Sequence, residues 1–314
     1  MKMEELRHRY FALLPLALSA HSGFCFNESI NQTTGKDESG MQGYNVALVF
    51  IYSVVLVVGS IGVTLMTSVL KSNLHSWTTI TFFNLILVHV IFLLTIPFRL
   101  YYYVTNYWSL SMPFCKLVSG MIHIHMHVVF VIYVVILTIQ FLQHFKKIGQ
   151  IEFNRSLHAI GFSIGIWSIL IIICPVVLFH YGMSANKNET KCFHFASELK
   201  SGLVFQCNMF LSVSTVIVSC IISCTLAAIL YTMIKKHGAS SWAQQEFWAQ
   251  MKNVSLVLII LFCLAPYHLY RLYYLNNADN LQLENEVFLA ITSLTCFDMM
   301  LVFTGKGICH RCWG

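Results

Sequence analysis

The stretch Ala265–Leu275 reads APYHLYRLYYL, placing a proline, a histidine and an arginine at the end of a long apolar run. His268 and Arg271 are three residues apart, which puts them on roughly one helix face. A guanidinium and an imidazole converging from one face can hold an anion, the first as a bidentate clamp and the second as an extra donor. Pro266, just before them, frees a carbonyl and allows the helix to bend. The simpler alternatives are an Arg271 that only reaches for the headgroups and a His268 that only packs. A second group is HIHMH, with His123, His125 and His127. His123 and His127 are four apart and share a face, while His125 points elsewhere. Such a pair offers part of a zinc site, but a third ligand must come from another helix. The preferred reading has one or two of these histidines lining a pocket and the rest hydrogen-bonding between helices. Neither a metal nor a cofactor is expected.

Other chemistries are missing from the sequence. It has no HExxH, no GxxxxGK[ST] or GxGxxG, and no Ser/His/Asp set in a recognisable context, so an enzyme is not expected. Of 11 cysteines, Cys115 and Cys192 stand just outside apolar runs and can pair. Cys174, Cys207, Cys220, Cys224, Cys263 and Cys296 lie inside runs and read as small apolar fillers. Cys309 and Cys312 are too few for a zinc site and sit beside the membrane, where they are candidates for palmitoylation.

The elements that must position these groups follow from composition. Of 314 residues, 57% are hydrophobic and 10% charged, against about 25% charged in soluble domains. Seven apolar stretches cover 44–70, 77–104, 115–143, 158–181, 201–234, 254–275 and 286–304. Each exceeds or meets the ~18–20 residues that cross a hydrocarbon core. In lipid every backbone N–H needs an internal partner, so spans this long are helices despite their Val and Ile. The net charge of +6 is spread over short loops with no basic stripe, which argues against nucleic acid. Lys146, Lys147, Lys235 and Lys236 instead suit anionic membrane lipid.

Residues 1–23 have the basic start, apolar run and small residues of a secretory signal. Residues 24–43 read as a polar extracellular tail, 44–305 as one bundle and 306–314 as a short cytoplasmic tail. Sequons at Asn27, Asn31 and Asn188 fall on the less basic side, which sets the amino terminus outside and the carboxyl terminus inside. Sequons at Asn154 and Asn253 fall on the other side, where they should stay unmodified. This predicts a multi-pass plasma-membrane protein. Asn84 is expected to hydrogen-bond neighbouring helices. Tyr101, Tyr102, Tyr103, Tyr107 and Trp108 are expected to be mostly interface anchors.

Seven helices with an outside amino terminus resemble the G-protein-coupled receptors of the rhodopsin-like class. Cys115 at the third span and Cys192 before the fifth resemble that family's extracellular disulfide, and Trp167 resembles its fourth-helix tryptophan. LLTIPF (93–98) is similar to the end of its second helix. FCLAPYHLYR (262–271) resembles the sixth helix of the nucleotide- and lipid-mediator branch: a cysteine, then Pro-Tyr-His, then a cation three residues on. The resemblance implies an extracellular small-molecule or lipid ligand, anionic given Arg271 and His268, and a heterotrimeric G protein as partner.

Several family positions are replaced. His89 stands where the second-helix aspartate belongs, Val129 at a third-helix hydroxyl, and Leu264 at the sixth-helix tryptophan. Ile139-Gln140-Phe141 replaces Asp-Arg-Tyr, and the NPxxY segment reads Asp298-Met299-Met300-Leu301-Val302. The resemblance therefore implies a His89–Asp298 pair in place of the family's sodium pocket, since a sodium ion needs hard oxygen ligands. It also leaves open a second reading: a seven-helix binding protein that acts as decoy, scavenger or heteromer partner without signalling. A transporter fits less well, because inverted repeats and paired broken helices are missing.

Overall fold

The computed structural model describes residues 35–70, 77–146, 161–165, 167–168, 192–193, 202–238, 245–277 and 281–300. The leader 1–23, Asn27, Asn31, Asn188, Cys309 and Cys312 lie outside the described residues. The chain divides into a unit of residues 1–40 and a unit of residues 41–314, and the bundle is the second.

The first span is α1 (Gly35–Leu70), and the second is α2 (Trp77–Leu93) followed by α3 (Ile96–Thr105). The third is α4 (Met112–Lys146) and the fifth is α5 (Gly202–His237). The sixth comprises α6 (Gln245–Ile259), a wide π turn (Ile260–Leu264) and α7 (Ala265–Tyr274). The seventh begins as α8 (Gln282–Thr292) and tightens into a 3-10 turn (Ser293–Phe297). Residues 161–165 and 167–168 of the fourth span are helical. Among the described residues, five helices are long and apolar enough to cross a membrane: Gly43–Ser68, Ile80–Thr105, Met112–Leu142, Val204–His237 and Gln250–Tyr274.

Helix bounds exceed the apolar runs because hydropathy marks only the part of a helix that faces hydrocarbon. α6 starts at Gln245, nine residues before the expected 254, which puts Asn253 inside a helix and buries it. α8 starts at Gln282, ahead of the expected 286.

Three irregularities shape the bundle. The second span breaks at Leu94–Thr95 because Pro97 lies in the first turn of α3 and supplies no N–H. Thr95 N–H and Thr95 Oγ1 both donate to the Phe92 carbonyl, at 2.8 and 2.6 Å, and close the break. In the sixth span, Ala265 N–H reaches back five residues to the Ile260 carbonyl, so the turn before Pro266 is wider than an α turn. In the seventh, the hydroxyls of Thr292, Ser293 and Thr295 donate to carbonyls three residues earlier, at 2.6, 2.5 and 2.9 Å. Hydroxyls that bond back along the chain in this way compete with the regular helix ladder, and here the helix tightens.

α7 packs between α5 and α8, and α2 packs on α4. Gly59 and Gly62 let α1 approach the seventh span closely. A methyl on Gly62 would lie 3.0 Å from Met299 Cβ, and one on Gly59 would lie 3.4 Å from Cys296 Cβ. Small residues at such crossings allow the backbone contact that drives helix association in lipid. The outer wall is apolar: Phe50, Phe210 and Phe262 are 69%, 72% and 70% exposed, as side chains that face lipid should be.

Candidate functional site

The outer half of the bundle contains two buried arginines with different surroundings. Arg271, on α7, donates to Asn285 Oδ1 on α8 and Asn208 Oδ1 on α5, both at 3.1 Å. Its guanidinium lies over the rings of Tyr274 and Tyr267, at 5.1 and 5.9 Å. It is only 4% exposed, its Nε has no hydrogen-bond partner, and no carboxylate among the described residues pairs with it. His268 is one turn away, with Nδ1 3.4 Å from Ser212 Oγ and Nε2 buried without a partner. The His127 ring stands 5.5 Å from the His268 ring, and the His123 ring 6.3 Å from that of Tyr267. Arg271, His268, His127 and His123 thus gather where α4, α5, α7 and α8 meet. The four-residue spacing of the two histidines accounts for their shared face.

Arg99 is the arginine that sequence reading passed over. It is fully buried on α3 and donates to Tyr52 Oη at 3.3 Å and to the Val118 and Ser119 carbonyls at 3.1 and 3.3 Å. Glu286 Oε2 lies 3.7 Å away and accepts a 2.9 Å bond from Tyr103. Phe193, next to the Cys115–Cys192 disulfide, covers the guanidinium at 4.6 Å. The signal was present in the sequence: a lone arginine in an apolar run faces the bundle interior by default. Phe193 also draws in Tyr102 and Trp108, whose rings lie 5.1 and 6.0 Å from it. Those two and Tyr103 are therefore buried packing residues, a correction to the interface reading, while Tyr101 and Tyr107 are 42% and 50% exposed.

A second polar node lies deeper in the bundle. His89 Nε2 is 3.4 Å from Asp298 Oδ2 and 3.3 Å from Oδ1, and Tyr133 donates to Oδ2 at 2.5 Å. On its other side, His89 Nδ1 is 2.8 Å from His125 Nε2 and 3.3 Å from Cys296 Sγ. His125 does point away from His123 and His127, and it joins this node. Cys296 is buried among polar atoms and is more than an apolar filler. No spacing along the chain brings these residues together; only the packing of three spans does. Asn84 ties the second span to the fourth: Trp167 Nε1 donates to its Oδ1 at 3.0 Å, and its Nδ2 donates to Ser163 Oγ.

Residues 60–301 match the family model described as "7 transmembrane receptor (rhodopsin family)". The chain belongs to the rhodopsin family of seven-helix receptors. It is 40% identical over 269 residues to the Homo sapiens "Probable G-protein coupled receptor 141", covering 82% of this chain and 88% of that protein. It is 21% identical over 227 residues to the Rattus norvegicus "2-oxoglutarate receptor 1", covering 70% of this chain and 66% of that one. It is also 21% identical over 233 residues to the Macaca fascicularis "N-arachidonyl glycine receptor", covering 72% and 70%. This chain is thus a seven-helix, multi-pass receptor of the plasma membrane and not an enzyme. The disulfide implied by the family resemblance joins Cys115 to Cys192, with their Cα atoms 5.9 Å apart.

Proposed function

We propose that this receptor senses an extracellular small molecule bearing a carboxylate and passes the signal to a heterotrimeric G protein. The observation that carries this is Arg271: a buried guanidinium whose partners among the described residues are neutral amides and ring faces. Burying a charge without an opposite charge is unfavourable unless a partner arrives. The nearby contrast is Arg99, which has Glu286. A ligand carboxylate would complete Arg271 as a bidentate partner, with His268 Nε2 as an additional donor. His127 and His123 would form the adjoining wall. Two relatives are named for carboxylates, 2-oxoglutarate and N-arachidonyl glycine, which fits the same chemistry. Bending of the sixth span at the π turn before Pro266 would carry ligand binding toward the inner face.

The test is a panel of mono- and dicarboxylates applied to cells expressing the receptor, read by G-protein dissociation. Arg271→Ala at matched surface level should abolish any response found. Arg271→Lys should lower potency about tenfold or more, because a point charge does not replace a planar fork. An unaltered response curve in Arg271→Ala would end the clamp assignment.

A further inference from the structure

We propose that His89, His125 and Cys296 form a binding site for a borderline-soft transition-metal ion, zinc above all, which clamps the second, third and seventh spans together. The three ligand atoms are His89 Nδ1, His125 Nε2 and Cys296 Sγ, and all three residues are buried. Their mutual distances are 2.8, 3.3 and 3.8 Å. A triangle with these sides has a centre about 2 Å from each corner, close to the zinc–nitrogen distance of about 2.0–2.1 Å and slightly inside the zinc–sulfur distance of about 2.3 Å. An ion at normal bond lengths would therefore sit just off the plane of the three atoms, leaving a fourth position for water.

The surroundings favour an ion. His89 presents Nδ1 to the triangle and turns Nε2 toward Asp298. A carboxylate behind a ligating histidine fixes the tautomer and raises the basicity of the nitrogen that binds metal. Tyr133 anchors that carboxylate in turn at 2.5 Å. Phe92 stacks on the His125 ring at 4.1 Å and 17°, which holds its orientation and walls the site with apolar surface. Charge also balances: a divalent ion, the Cys296 thiolate and the Asp298 carboxylate sum to zero, as an intramembrane site requires. The donor set is two imidazoles and a thiol, which select zinc or copper over sodium, calcium or magnesium. On binding, the Cys296 thiol releases its proton to water and the sulfur becomes the ligand.

The experiment uses the full-length receptor purified in lipid nanodiscs, loaded with zinc, desalted and assayed for metal by mass spectrometry. About one zinc per receptor is expected in the wild type. That zinc should be lost in Cys296→Ser and in His125→Ala, and kept in His144→Ala, a histidine at the inner end of α4 outside the node. Cobalt loaded into the wild type should give a thiolate-to-cobalt charge-transfer band, a readout that does not depend on a variant folding. Copper that displaces zinc, with the same dependence on Cys296 and His125, supports the same three ligands. Little zinc in the wild type, a missing cobalt band, or equal zinc in the wild type and the Cys296→Ser/His125→Ala double variant each overturns the site.

Discussion

At the scale of single residues, the two buried arginines differ in what completes them. Arg99 is surrounded by protein: two carbonyls, a tyrosine hydroxyl, a phenylalanine face and a carboxylate. Its role is to tie α1, α3, α4 and α8 beneath the disulfide. Removing the carboxylate should strand the charge. Glu286→Ala is therefore expected to destabilise the receptor by about 3 kcal/mol, the lower end for breaking a buried pair. Glu286→Gln, which still accepts from Tyr103, should fall between it and the wild type. Thermal unfolding in detergent micelles measures both, and an unchanged midpoint in Glu286→Ala would show the pair to be dispensable. Among the described residues Arg271 has no such carboxylate, which is why the ligand is proposed to meet it there. His268 and Arg271 were legible in the sequence because three-residue spacing fixes a shared face. The inward placing of Arg99 was legible as a lone arginine in an apolar run, but its partners, like those of His125 and Cys296, were not, because they come from distant spans and no local period relates them.

At the scale of elements, length and apolarity sufficed to locate the spans but not their irregular turns. The break at Thr95 and the wide turn at Ile260–Leu264 each precede a proline, and a sequence containing Pro97 and Pro266 already suggests both. The 3-10 turn at Ser293–Phe297 has no proline; it follows from three hydroxyls bonding back along the chain. Placement of Cys296 depends on that turn and on α1 lying close against it. Gly62→Leu should push α1 away from Met299 and reduce surface expression several-fold. Gly59→Ala should be milder, since its nearest neighbour, 2.9 Å away, is the flexible end of Leu93. Surface labelling of intact cells compares the two, and equal expression of all three chains would contradict the close crossing.

At the scale of the whole molecule, the receptor keeps the outer architecture of its family and alters the inner one. The disulfide and the Pro-Tyr-His segment are in place. The inner end of the third span has Gln140 where the family has arginine, and a neutral amide cannot extend as a charged fork. If coupling is weak for this reason, Gln140→Arg should raise basal or ligand-driven G-protein activation in the same cells. A signal in the unmodified chain supports a working receptor, whereas a signal only in the arginine form supports a silent binder. Resemblance made the fold class and disulfide legible, because they rest on few, widely spaced residues. It could not reveal the His89–His125–Cys296 node, because two of those positions carry meaning only once the first has changed.

The wide turn in the sixth span also sets a counting frame. A helix that gains one residue turns everything beyond it by about 100°. The π turn absorbs that extra residue, and Leu256 and Ile260 before it and His268 and Arg271 after it are all buried in the bundle. Deleting Phe262, which faces lipid, would wind the turn back to α while keeping both faces in phase. Inserting an alanine at the same point would leave the outer segment one step out, with Arg271 directed toward the acyl chains. Loss should therefore be tolerated better than gain at this site, the reverse of what sequence length alone would suggest, and surface expression of the two chains would show it.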